Sequence, residues 1–203
     1  LQIVEDFDSR LFEKRPEDAD FLCCYIGSGK LKSENQVEYK KQEYKELEDV
    51  LMEYPAMLHD KYQYSENRPI MIPFKECNAV GFIGDRNRLY QIIKNIMLSL
   101  AIQHYYRDVR FCLLIDPMDI PYFSWCRWLQ NMDNEKTNRR NISCDEQSRS
   151  LLLEFLYTEL SLRESHGNGN AVGRPHYVVF LYRCGAINEH PISNYFSRAR
   201  ELG

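Results

Sequence analysis

The chain has 203 residues, 44% of them hydrophobic and 28% charged, with a formal net charge of -4. That fits one large globular domain, or a domain with a small appendage. The acidic balance argues against a nucleic-acid surface, which carries a basic excess, and no signal peptide or run of 18 apolar residues is present. The seven cysteines, at 23, 24, 77, 112, 126, 144 and 184, form no CxxC pair. They read as reduced, buried thiols of a cytosolic protein and not as a zinc site, and no other metal site or cofactor is expected. The first residue is Leu1 and not Met, so a piece of a longer polypeptide is expected.

Residues 1–20 are charged and end in Arg15-Pro16-Glu17-Asp18, as a linker would. Phe21 to Ile26 is a short apolar run stopped by Gly27-Ser28-Gly29, which predicts a strand and a tight turn with a second strand from Lys30. Residues 33–46 are polar. From Leu47, the residues Val50, Leu51, Tyr54, Met57, Leu58 and Tyr62 follow a helical period, with Pro55 as a kink. Asn67-Arg68-Pro69 then breaks the chain before a strand over 70–74.

Strands and helices alternate from there. Val80-Gly81-Phe82-Ile83-Gly84 reads as a strand running into a turn, and Leu89, Ile92, Ile93, Ile96, Met97, Leu100 and Ala101 make one helical stripe. A continuous apolar strand is predicted over 109–115, and a short aromatic helix over 122–129, with Tyr122, Phe123, Trp125 and Trp128 mostly in the core. A weak strand follows at 141–143, then a helix over 146–163 capped by Asp145. A loop over 166–174, a buried strand over 177–181 and a helix near 191–201 complete the chain. Apolar strands between amphipathic helices imply an α/β fold with a mostly parallel sheet covered on both faces. The β-containing lead-in spans 21–74 and the α/β core 77–203, together one domain over 21–203.

A strand, a glycine turn and a long helix are the setting of a phosphate-binding loop, which needs G-x-x-x-x-G-K-[ST]. Counted from Gly84, the last three slots hold Leu89, Tyr90 and Gln91; counted from Gly81 they hold Arg86, Asn87 and Arg88. Neither register supplies the lysine and hydroxyl. Arg86 and Arg88 lie where a helix N-terminus would welcome an anion, but solvated surface arginines explain them as well. Gly27-Ser28-Gly29-Lys30 fails too, because Cys24 fills the leading glycine slot and Leu31 follows the lysine. Leu113-Leu114-Ile115-Asp116 is followed by Pro117 and no second acid. The better magnesium-binding strand, Val178 to Leu181, ends in Tyr182-Arg183 where two acids are needed. HExxH, GxSxG and strand-following GxGxxG motifs are missing. The histidines at 59, 104, 166, 176 and 190 are scattered and read as structural or surface groups. No catalytic residue is expected.

Four fragments in order carry a resemblance: Arg15-Pro16 with Asp20-Phe21-Leu22 and Ile26-Gly27 through Gly29; Val80 to Gly84 with Leu98-Ser99-Leu100-Ala101 and His104; Phe123 to Leu129; and Pro175-His176-Tyr177-Val178-Val179-Phe180. Together they resemble the domain that follows the transmembrane helices in EssC/EccC-type secretion motors, the FtsK/SpoIIIE-type proteins of type VII secretion. The resemblance covers about residues 10 to 200 and departs at Tyr25, Gln130-Asn131 and Tyr182-Arg183. It implies a RecA/P-loop NTPase-like three-layer sandwich whose nucleotide site is degenerate, with 1–20 leading in from a membrane or stalk region. It also implies a place at the cytoplasmic face of a bacterial membrane, reached only through flanking segments. The implied partners are adjacent ATPase domains of the same polypeptide, other membrane components of the secretion system and small helical-hairpin secreted substrates. The implied role is non-catalytic coupling of the membrane region to the ATPase domains. A nucleotide- or anion-binding sensor without hydrolysis is the alternative.

Overall fold

The central strand β3 (Val109–Leu114) is buried at all six residues, and it organises everything packed around it. The structure is a computed structural model and describes residues 8–36, 38–40, 53–165, 175–183, 187 and 189–203. The chain divides into two compact units, one of residues 1–24 with 72–203 and one of residues 25–71.

In the larger unit β3 pairs in parallel with β6 (Ile142–Ser143) on one side and β7 (His176–Leu181) on the other. A strand with neighbours on both edges and helices on both faces must be apolar throughout. Its one exception is Arg110, which donates to the carbonyls of Gln130 (3.0 Å) and Asp133 (2.8 Å) and to the Glu135 carboxylate (2.8 Å). Helix α2 (Arg86–Gln103) starts at Asp85, whose carboxylate accepts the N–H groups of Asn87 and Arg88. It buries Ile96, Met97 and Leu100, as the predicted stripe requires. Helix α4 (Glu146–Ser165) starts where Ser148 N–H donates to Asp145 at 2.8 Å. Its Leu152, Leu153 and Leu156 pack on Cys112 and Leu114, while Phe111, on the opposite face of β3, meets Phe180 edge-on at 5.6 Å. The fold is therefore α/β, with helices on a parallel sheet of three strands among the described residues.

Three predicted elements of this unit differ. Val80–Gly84 joins no ladder, and Ile83 is fully exposed. Two glycines in five residues leave little side chain to hold such a strand to a sheet edge. The aromatic helix is a single turn, α3 (Ile120–Phe123), continued as a 3-10 helix over Ser124–Trp128. The C-terminal helix is two separate turns, α5 (Ser193–Phe196) and α6 (Ala199–Leu202). A small antiparallel ribbon, β4 (Asp133–Asn134) with β5 (Arg139–Arg140), precedes β6.

The smaller unit is built on β1 (Cys23–Lys32) and β2 (Tyr64–Pro73), two ten-residue strands that pair with each other. Gly27-Ser28-Gly29 lies inside β1 instead of forming a turn. Gly29 is needed there, because a Cβ would sit 2.8 Å from Ile70 Cδ1. The predicted break at 67–69 lies inside β2; the strand absorbs it at Asn67, which takes a left-handed φ of 55°. Helix α1 (Tyr54–Tyr62) has Pro55 in its first turn, where a missing N–H costs nothing, so the proline opens the helix and does not kink it. None of its residues is buried. Leu47, Val50 and Leu51 of the predicted stripe fall outside the described residues, as does the 166–174 loop.

Candidate functional site

The two ends of the parallel sheet are built from different chemistry. At the N-terminal end, helix α2 finishes in His104, which is fully buried. Its Nδ1–H donates to the Leu100 carbonyl at 3.0 Å and its Nε2 accepts the Leu22 N–H at 3.0 Å. Both ring nitrogens are used by a neutral imidazole, and burial pushes its pKa down to about 4. Phe21 lies edge-on to His104 and against His176, each ring 5.0 Å away. Nearby Arg163, at the end of α4, donates to the carbonyls of Pro175 (2.7 Å), Leu202 (2.8 Å) and Gly203 (2.6 Å) and stacks over Tyr177. His104 is thus held by the fold through both ring nitrogens.

The C-terminal end is where α/β sheets place ligands, and it holds the residues predicted as relics of a nucleotide site. Tyr182 leaves β7 buried, its ring 5.1 Å from Phe123 and its hydroxyl 3.4 Å from the Arg86 carbonyl. Arg183 follows in a left-handed conformation, φ 56°, a costly choice for a side chain with a Cβ. Asp119 is fully buried in the loop after β3. Arg86 Nη2 donates to Asp119 Oδ1 at 2.6 Å, and Arg183 Nη1 lies 4.0 Å from the same oxygen. The Arg86 guanidinium also stacks over Tyr122, 5.1 Å from its centroid. Arg86 is thus paired and stacked as well as exposed, so it is a surface arginine as expected but not a free one.

Along the same rim Asp116 ends β3 and faces Arg149 of α4, 3.6 Å away, while Ser143 ends β6 fully buried. Five buried side-chain polar atoms among the described residues have no partner. Three of them, Asp119 Oδ2, Ser143 Oγ and Arg149 Nε, lie on this rim. Unpaired buried groups cost stability, and natural folds keep them where something else is at stake.

The other predicted slots divide. Tyr90 joins the aromatic cluster, 5.4 Å from Phe123 and 5.5 Å from Tyr122. Leu89 is half-buried, and Gly84, Arg88 and Gln91 are exposed. Of the four aromatics expected mostly in the core, only Phe123 is buried; Trp125 is half-buried, Tyr122 is exposed and Trp128 is 74% exposed. The 3-10 geometry repeats every three residues, so a spacing suited to 3.6 no longer puts them on one face. Asp119, which ties the corner together, went unnoticed in the sequence. Its only signal is an acid in the loop after the central strand.

A second concavity, of about 380 Å³, runs beside the outer edge of β7, lined by Val80, Phe82, Ile93, Val178 and Phe180 among others. Among the described residues no three His, Cys, Asp or Glu side chains are gathered to hold a metal, and no helix is long and apolar enough to cross a membrane.

No family profile matches the chain. Individual relatives do. The type VII secretion system protein EssC of Staphylococcus aureus is 23% identical over 202 residues in strain MSSA476 and 22% identical in strain NCTC 8325, in each case across 97% of this chain. The ESX secretion system protein EccC of Geobacillus thermodenitrificans is 26% identical over 200 residues, across 98% of it. The chain spans 14% of the length of each of these relatives.

Proposed function

We propose that this chain, homologous along nearly its whole length to the EssC and EccC proteins of type VII secretion, is a RecA-like domain without nucleotide chemistry. In this reading it belongs to a longer secretion motor and couples the motor's membrane region to its ATPase domains. The observation that carries the reading is the Arg86–Asp119 pair, with the Tyr182 hydroxyl beside it on the Arg86 carbonyl. In an ATPase of this fold the phosphates sit on the helix N-terminus beside the end of the magnesium-binding strand. Here Asp85 already takes the N–H groups of Asn87 and Arg88, and Asp119, the fully buried acid among the described residues of the corner, is committed to an arginine. Arg183, next to Tyr182 at the end of β7, would repel a metal ion. A phosphate-sensing role is favoured by one feature, the half-exposed guanidinium groups of Arg86 and Arg183.

Titration calorimetry of this chain with ATP and magnesium separates the two readings. Coupling without nucleotide predicts no saturable heat. Micromolar binding that weakens at least tenfold in Arg86→Ala would establish the sensor and sink the first reading.

A further inference from the structure

Asp119 does more than fill a corner, because it holds two like charges side by side. Arg86 and Arg183 both approach its Oδ1, so the trio carries a net charge of about +1. Each guanidinium has five N–H donors in a fork, and the bond to Asp119 uses one of Arg86's, so neither guanidinium is used up by Asp119. Asp119 itself is fully buried, whereas the arginine side chains are 43% and 48% exposed. The acid lies beneath and the cations lie on top.

The surroundings are unusually apolar for a charged surface. Tyr122 supports Arg86, and Met118 Sδ lies 3.9 Å from Arg183 Nη1. Met118 is 64% exposed, Ile120 and Tyr122 are exposed too, and Ile83, three residues before Arg86, is fully exposed. Tyr122 and Met118 touch the arginines, and Ile120 and Ile83 lie one and three residues along the chain from Asp119 and Arg86; exposed apolar side chains beside oriented charges mark an interaction surface.

We propose that Arg86 and Arg183, aligned by Asp119 among Ile83, Met118, Ile120 and Tyr122, dock a carboxylate-bearing apolar segment from another part of the same longer polypeptide. The docking rests on the reading of this chain as one domain of a secretion motor. Three considerations select that occupant. A small inorganic anion would satisfy the arginines and leave the apolar side chains in water. A second copy docking through the same face would bring together two patches that each carry the positive charge of this trio. A tethered segment suffers neither objection and acts at high effective concentration, and the relatives carry most of their length outside the matched 14%.

The test uses the full-length secretion protein with a photoreactive amino acid in place of Ile83, whose exposed side chain the fold does not need. Irradiation and peptide mapping are expected to capture a segment of the same polypeptide, outside these 203 residues, that contains Asp or Glu. Arg86→Glu with Arg183→Glu is expected to lower the yield at least tenfold, and changing the captured acid to Arg is expected to restore it in that background. Met118→Asp, which leaves the ion pair intact, is expected to lower the yield as well and covers the case in which the double variant misfolds. Capture of a second copy of this domain, capture of another protein, no capture, or a yield indifferent to all these changes would each overturn the proposal. ATP binding to the isolated chain would defeat the nucleotide-free reading and leave the capture result standing. Failure of capture without ATP binding would defeat only the docking surface.

Discussion

The N-terminal end of the sheet satisfies its buried ionisable groups and leaves Gln103 Oε1 unpaired, whereas the C-terminal end leaves three polar atoms unpaired, two of them on ionisable side chains. His104 uses both ring nitrogens, Arg163 reaches three carbonyls and Arg110 two carbonyls and a carboxylate. At the other end Asp119, Ser143 and Arg149 each keep an unpaired atom, Arg183 holds a strained backbone, and Met118 and Ile83 face solvent. The first pattern serves stability. The second resembles a binding face, where local stability has been given up.

Arg163 gives the largest test of that contrast. Its guanidinium is buried and bound to three carbonyls, so Arg163→Met removes three hydrogen bonds and takes this donor from Pro175 and Leu202, while Gly203 keeps the Tyr177 N–H. A loss of about 4 kcal/mol in urea unfolding is expected. Asp119→Asn should cost much less, roughly 1 kcal/mol, because its partners are half in water. If Asp119→Asn proved the costlier of the two, the division between a stability end and a binding end would collapse.

Acid should attack the N-terminal end through His104. In the folded chain burial holds this imidazole neutral to about pH 4, whereas its ordinary value is 6.5. The unfolded state therefore takes up a proton between pH 6.5 and 4 that the folded state refuses. The His104 contribution is fully present above pH 6.5, declines as pH falls and is gone near pH 4. The 2.5-unit difference corresponds to about 3 kcal/mol. Urea midpoints measured down that range should fall, and the slope should flatten in His104→Gln, which keeps a polar side chain but cannot charge. An unchanged slope in the variant would remove His104 as the cause.

What the sequence revealed follows the same division. Strands β3 and β7 and helices α2 and α4 were legible because continuous apolar runs and a 3.6-residue stripe are set by burial, which side-chain pattern records directly. His104 could be read as structural without its partners being visible. The corner could not be assembled. Arg86 and Arg183 were noticed singly, but Asp119, which joins them, comes from a loop of no fixed period. The glycines of β1 and the proline of β2 looked like breaks, because a long two-stranded ribbon tolerates residues that a central strand excludes. The Val80–Gly84 segment failed for a related reason. Side chains say that a segment can be extended, but only backbone partners make it a strand.

Backbone partners also supply the finest test. In a parallel pair the N–H and C=O of one residue point to the same side and alternate along the strand. His176 and Tyr182 donate to Asp108 and Leu114, so with the register of β3 and β7 the amides of Val178 and Phe180 turn toward β3 as well. Those of Val179 and Leu181 then face the groove beside Val80 and Phe82. Hydrogen exchange read by NMR should show slow exchange at Val178 and Phe180 and faster exchange at Val179 and Leu181, by at least tenfold. Equal protection at all four would mean that the outer edge of β7 is paired after all, and Val80–Phe82, which lines the same groove, would be the candidate partner. The α/β sheet would then gain a fourth strand leading directly into Asp85 and Arg86, and the charged corner would be anchored from the sheet as well as from α2.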